Sequence, residues 1–297
     1  YNSYNAKFLP ETQFANFEFK KINFDGSFNY NKFFIDESDS QLIIVEANGK
    51  IKYIQLEKFL KNNFEDILTE DINSNLINLI KPGHVLDILI HQNHLYVSYY
   101  SISKVLNCTL LNVAIAEIKT NDLQFNNLIK FDECQKGKYG GGRLKPYIVD
   151  DIEGLLLTTA QHDKASKNNN AQDDNSIYGK ILFINLNTKQ YDIFAKGVRN
   201  PQGLLVDKGL ILSTEHGPRG GDEINKIERN KNYGWPLSSY GEPYGLGFGD
   251  RNSDFLFKNY YKKNHSSFGY EEPLFAFVPS IGISEIIKVT NEFHPKW

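Results

Sequence analysis

Between Gly197 and Pro236 the chain reads GVRNPQGLLVDKGLILSTEHGPRGGDEINKIERNKNYGWP. Charged Arg199, Glu215, Arg219, Asp222 and Glu223 are set among Gly-Pro, Gly-Gly and Asn-Tyr-Gly turns. Turn residues at this density hold the backbone in tight conformations and can aim carbonyls and carboxylates at one place. Carboxylates combined with backbone carbonyls make the oxygen shell that a hard cation such as calcium takes. An arbitrary Gly-rich stretch is more often a set of hairpin turns with a solvated charge cluster, so the order of residues has to decide.

Loops of this kind need strands to hold them, and short strand-like runs separated by turn signals recur along the whole chain. QLIIVEA, Asn48-Gly49 and KIKYIQL form a hairpin signature, since Asn-Gly accepts the positive φ angles of a type I′ turn. HLYVSYYSI is a further strand. RLKPYIV and GLLLTTA flank the turn from Asp150 to Glu153; GKILFINL and QYDIFA flank Asn187-Thr188-Lys189; GLLVD and GLILSTE flank Lys208. Only residues 56–80 carry a helical pattern, and the polar segment 166–176 is expected to be an exposed loop. Nothing divides the chain, so residues 1–297 are expected to form one all-β domain. Sandwich, barrel and propeller all accommodate successive hairpins, and the length favours a propeller, although no strict repeat of about 40 residues is visible.

Composition narrows the function classes. The chain has 297 residues, of which 40% are hydrophobic, with 17 Tyr and 21 Phe, enough for a large strand-built core. A net charge of −3 gives no basic footprint for nucleic acid. No apolar run approaches the roughly 20 residues of a transmembrane helix. Cys108 and Cys134 lie symmetrically about Asn121. A regular hairpin centred there would oppose them within disulfide reach; the alternative is two unrelated buried thiols, because a bulge would spoil the symmetry. A bridge would imply an oxidising compartment, periplasmic or secreted.

GVRNPQGL, then STEHGPRGGDEIN, then NYGWP closely resembles the glucose/sorbosone dehydrogenase family, with agreement also in GHVLDILIH, GGGRL and AQDDNSIYGKIL. The resemblance implies a six-bladed β-propeller that oxidises a sugar with pyrroloquinoline quinone and calcium. It implies that Arg199 and Asn200 contact the quinone and that the backbone carbonyls of Gly217 and Pro218 hold the calcium bound to it. Glu223 and the backbone of Tyr233 match a calcium position that fixes the loop. Arg219 and Asp222 are expected to form a mutual ion pair. Relatives continue past a segment like FHPKW at 293–297, so the last blade is expected to be incomplete or missing in this chain.

Other positions depart from the family pattern. The family's general base is a histidine four residues before the arginine of Gly-Arg-Leu, and that position is Tyr139 here. A phenol with a pKa of about 10 accepts protons poorly at neutral pH. The aspartate that orients the histidine falls on Gln161, in TTAQHD, and Pro82 stands where a Gln or Glu usually faces the cofactor. His162 is expected to be exposed rather than a substitute base, and His84, His91 and His94 to be structural. Two functions follow. The first is a quinone- and calcium-dependent aldose dehydrogenase, hydride passing from sugar C1, with its proton-moving half altered. The alternative is a calcium-stabilised propeller that serves as a binding module. A lactonase-type hydrolase fits less well, since GVRNPQGL argues against it.

Overall fold

The computed structural model describes residues 33–38, 41–61, 69–119, 122–135, 140–161, 169–242 and 261–289. Their strands form four sheets. The first holds β1 (Phe33–Ser38), β2 (Gln41–Glu46), β3 (Ile51–Gln55) and β4 (Glu70–Ser74), with the short β8 (Asp122–Leu123) parallel at its edge. The second holds β5 (Gly83–His91), β6 (His94–Ser103), β7 (Cys108–Glu117) and β9 (Asn126–Lys130). The third is β10 (Gly141–Val149), β11 (Ile152–Thr159), β12 (Lys180–Asn185) and β13 (Tyr191–Lys196). The fourth is β14 (Pro201–Asp207), β15 (Leu210–Glu215), β16 (Asp222–Lys226) and β17 (Phe275–Phe277).

Apart from β8, neighbours within each sheet are antiparallel. The first strands of successive sheets also pack on one another, β1 on β5, β5 on β10 and β10 on β14. Meanders that share a line of innermost strands make a β-propeller. The blades stack through apolar layers. Leu155 and Leu157 of β11 join Leu111 and Leu144 in one layer, while Leu156 between them joins Ile181, Leu204 and Ile211 in the next. Alternate side chains leave a strand on opposite faces. A strand sandwiched between two such layers must therefore be apolar on both, which is why GLLLTTA and GKILFINL read as unbroken hydrophobic runs.

Three sequence expectations change here. The helical pattern over 56–80 resolves into α1 (Leu56–Lys61) and α2 (Leu76–Ile80), with β4 between them pairing on β3. Asn48-Gly49 does not form a type I′ turn: the hairpin closes through Glu46 and Lys50, Asn48 Oδ1 accepts from Lys50 N at 2.8 Å, and of the pair only Gly49 has positive φ, at 91°. A three-residue loop ending in a left-handed glycine satisfies the same strand twist. In the segment expected to be exposed, Ala171 and Ser176 are buried, while residues 166–168 lie outside the described set.

Cys108 and Cys134 are disulfide-bonded, with Cα atoms 5.7 Å apart. The pairs Asn112–Lys130 and Val113–Ile129 keep the register symmetric about position 121. A bulge does occur, between Val113 and Ala114, but it displaces only the half nearer the turn. Residues 120 and 121, the turn itself, lie outside the described set.

The two ends of the innermost strands differ. At one end, two-residue turns with positive φ join them to the second strands: Gln92-Asn93, Asp150-Asp151 and Lys208-Gly209. At the other end each of β5, β10 and β14 carries an irregular register near its start. The loops of the Gly197–Pro236 stretch that carry Arg199, Asn200 and Gly217–Gly221 gather at this second end.

Candidate functional site

Arg199 and Asn200 lead into β14, and the segment Gly217–Gly221 joins β15 to β16. The loop is folded tightly on itself: a Cβ added to Gly217 would lie 2.0 Å from the Gly221 carbonyl, so only glycine fits there. Backbone bonds from Trp235 N to Gly197 O (2.9 Å) and from Tyr233 N to Lys196 O (2.9 Å) bring the NYGWP segment onto the same spot.

The Arg199 backbone N–H donates to Glu215 Oε2 at 2.8 Å, and its guanidinium lies 5.2 Å from the centre of the Trp235 ring. Arg199 Nη1 donates to the carbonyls of His216 (2.5 Å) and Gly217 (2.7 Å). Opposite it, Glu215 and Glu223 face each other across the β15–β16 ladder, both buried. Asn225 Nδ2 lies 3.4 Å from Glu215 Oε1 and 3.3 Å from Glu223 Oε2, and His265 Nε2 lies 3.6 Å from Glu223 Oε1. Burial pushes both carboxyls well above the usual carboxylate range; Arg199 opposes this at Glu215, whereas Glu223 is pushed further by the charge of Glu215. Like charges opposed in a buried ladder cost stability unless a cation joins them.

Between these groups lies a cavity about the size of one water or one bare ion, lined by Arg199, Glu215, Gly217, Pro218, Glu223 and Tyr233. All four residues expected to bind metal therefore border one cavity with Arg199. The donors are hard oxygens, which suits calcium rather than a thiolate-seeking metal. Among the described residues no three acidic, histidine or cysteine side chains converge to hold an ion by themselves, so carbonyls must complete any shell. One of those carbonyls, Gly217 O, is held by the Arg199 guanidinium, an internal cation at the same place.

Asp222 does not pair with Arg219, which is exposed. Asp222 instead accepts five hydrogen bonds: Oδ1 from Gly217 N (3.0 Å) and Ser280 Oγ (2.9 Å), Oδ2 from the backbone N–H groups of Ile281, Gly282 and Ile283 at 3.1, 2.8 and 3.2 Å. Those donors hold its pKa below the ordinary value against the opposing effect of burial. Its nearness in sequence to Arg219 suggested an ion pair; the turn at 280–283 that needs an anchor is too distant in sequence to be read.

Gln161 is buried and fully engaged with its surroundings. Its N–H donates to Arg199 O (2.8 Å), its carbonyl accepts from Trp235 Nε1 (3.0 Å), and its Oε1 accepts from Ala171 N (2.7 Å). It braces the 169–178 loop against the arginine. Tyr139 and His162 lie outside the described residues. His91 pairs with Glu153 at 2.9 Å and His94 Nδ1 lies 2.8 Å from Gln92 O, both at the tight-turn end; His84 stands 6.2 Å from the Tyr100 ring. Pro82 precedes β5, its carbonyl accepting from Ile102 N at 2.8 Å.

Sequence reasoning passed over Glu215 and Trp235 as site residues. The signal was there for Glu215, a lone acid ending the apolar strand GLILSTE, where a solvated carboxylate would be out of place.

A model of the family described as glucose/sorbosone dehydrogenase matches residues 32–297. This chain belongs to that family. Aldose sugar dehydrogenase YliI of Escherichia coli K12 is 31% identical over 176 residues, covering 54% of this chain and 43% of the relative. Quinoprotein glucose dehydrogenase B of Acinetobacter calcoaceticus is 35% identical over 107 residues, covering 32% of this chain and 22% of that relative. The matches thus span less than half the length of these curated relatives. The solved apo-form of the soluble aldose sugar dehydrogenase of E. coli superposes with a TM-score of 0.63 at 20% identity, over 85% of this chain and 73% of that one, so the fold is shared. In this glucose/sorbosone dehydrogenase family member, the GPRGGDE loop and the end of β15 just before it carry the buried acid pair, Glu215 and Glu223.

Proposed function

We propose that this glucose/sorbosone dehydrogenase family member binds calcium and pyrroloquinoline quinone at the Arg199–Glu223 loop and acts on an aldose or related sugar. The observation that carries this is the ion-sized cavity bordered by Glu215 and Glu223, whose opposed burial is explained by a bound cation. The carbonyls of Gly217 and Pro218, the Glu223 carboxylate and the Tyr233 carbonyl would hold calcium, and Arg199 and Asn200 would grip the quinone. When bound, the quinone supplies a hydride acceptor for the sugar C1–H, and calcium supplies Lewis acidity beside it. Arg199, which here holds the Gly217 carbonyl, would give that carbonyl up to the ion and offer its charge to the quinone oxygens. Tyr139, in place of the histidine base, leaves proton removal from the sugar hydroxyl slow.

A second function, a binding propeller without hydride transfer, is favoured by one observation. Gln161 Oε1 is committed to Ala171 N, so this side chain serves the scaffold where the family aspartate would orient a base. Dye reduction by the purified chain with calcium and the quinone, across a panel of aldoses, separates the two. Sugar-dependent reduction supports the dehydrogenase; quinone binding with none across the panel leaves the binding propeller.

We propose six blades for the intact ring. Residues 284–288 pass beside β14 and β15, with Lys288 Nζ 2.9 Å from Asp207 Oδ1 and Thr214 Oγ1 bonded to Ser284 O, where a fifth innermost strand would lie. The Cys108–Cys134 bridge supports a periplasmic or secreted location.

A further inference from the structure

The irregular registers at the start of β5, β10 and β14 each leave backbone outside the ladder: at Leu86, at Gly142-Arg143 and at Gln202. A bulged residue keeps its polar backbone groups available and re-aims its side chain. Arg143 joins all three. Its Nε donates to Gln202 O at 2.5 Å, and its Nη1 lies 3.4 Å from both Leu86 O and Asp87 Oδ1. Asp87 Oδ2 in turn accepts from Leu144 N at 2.9 Å, so the guanidinium links the blades of β5 and β14 while Asp87 ties back to β10. Gln202 is thereby fixed through its backbone, and its Nε2 donates to Asn200 Oδ1 at 2.6 Å.

A primary amide has one accepting oxygen and one donating nitrogen. Oδ1 already accepts from Gln202, which turns it toward that side chain and leaves the N–H₂ as the group to be satisfied: Nδ2 has no hydrogen-bond partner among the described residues. A quinone carbonyl accepts and never donates. An asparagine turned the other way would set two oxygens against each other.

We propose that Gln202 is a positioning residue that fixes the hydrogen-bond polarity of Asn200, presenting its amide N–H₂ to the cofactor, and that Arg143 anchors Gln202 for this task. The assignment rests on the quinone function proposed above. It goes beyond that function by predicting a residue that never touches the cofactor and whose hydrogen-bond polarity, rather than its bulk, decides binding.

Gln202→Glu and Gln202→Met separate polarity from packing. A carboxylate at position 202 accepts, so it draws Asn200 Nδ2 toward itself and leaves Oδ1 facing the quinone; methionine merely frees the asparagine. With calcium present, titration with pyrroloquinoline quinone followed by Trp235 fluorescence should show binding weakened about 10- to 100-fold in Q202E and about 3-fold in Q202M. The thermal shift on adding calcium alone should stay as in the unmodified chain. Q202E binding as tightly as the unmodified chain, or Q202M weaker than Q202E, would overturn the proposal. Failure of the unmodified chain to bind the quinone would remove the quinone function, and the amide itself then decides. Asn200 Nδ2 protons that exchange freely with water in the unmodified chain and become protected in Q202E support the assignment. Protons already protected in the unmodified chain contradict it.

Discussion

The loop around Glu215 and Glu223 and the corner around Gln161 lie side by side, joined through the Arg199 backbone, yet they are built on opposite principles. In the loop, two buried carboxylates face each other and Asn225 Oδ1 lacks a partner. Around Gln161, backbone N–H, carbonyl and Oε1 all have close partners. Unmet charge in a packed interior costs folding energy and persists where a ligand repays it. A saturated neutral corner needs no ligand. The difference teaches that, on the function proposed above, the loop is the part suited to a ligand, whereas Gln161 serves the scaffold.

The comparison can be broken most severely at Asp222, which ties the acid loop to the 280–283 turn. Asp222→Ala should cost about 3–5 kcal/mol, because the backbone N–H groups it serves lose their acceptor together. Urea unfolding measures this, and a loss below about 1 kcal/mol would show that the loop holds itself. Next in size, the double change Tyr139→His with Gln161→Asp restores both family residues and should raise sugar-dependent dye reduction about 100-fold or more, the usual scale of general-base catalysis. Gln161→Asp alone should raise nothing and should lower stability by about 1–2 kcal/mol, since the carboxylate is buried beside the same partners. An equal gain from Gln161→Asp alone would show that the corner is not scaffold.

The smallest effect concerns pH. Burial raises the Asp87 carboxyl to about 6, with Arg143 opposing. In the unfolded chain this acid ionises near its ordinary value of about 3.9, so between roughly pH 4 and 6 only the folded state keeps the proton. Its contribution to stability is therefore greatest at low pH and is lost as pH rises through that window. Melting curves should show Asp87→Asn flattening the decline between pH 4 and 6 by a few degrees, and an unchanged slope would place the proton elsewhere.

The fold was legible where strands are sandwiched, since GLLLTTA and GKILFINL announce strands buried on both faces. The cysteine spacing was legible as well, because the bulge falls on the turn side of the hairpin. That Gly217, Pro218 and Glu223 border one cavity was legible from the tight GPRGGDE loop, where Gly217 admits no side chain. Asp222, Gln202 and Arg143 were not, because their partners are the 280–283 turn and bulges on other blades, and no local pattern records contacts between strands more than 50 residues apart. The helical pattern over 56–80 held at Leu56–Lys61 and Leu76–Ile80 and gave way between them at Glu70–Ser74, where the ladder from β4 to β3 overrode local preference.

The central claim, that the Glu215–Glu223 loop is a cation site, is tested most directly by calcium-dependent melting of the purified chain at pH 8, beside Glu223→Gln. The unmodified chain should melt several degrees higher with millimolar calcium, as expected for a ligand that binds only the folded state. Glu223→Gln should melt higher than the unmodified chain without calcium, through loss of the opposed charge, and should not respond to the ion. No calcium shift in the unmodified chain, or the same shift in both, would contradict the account.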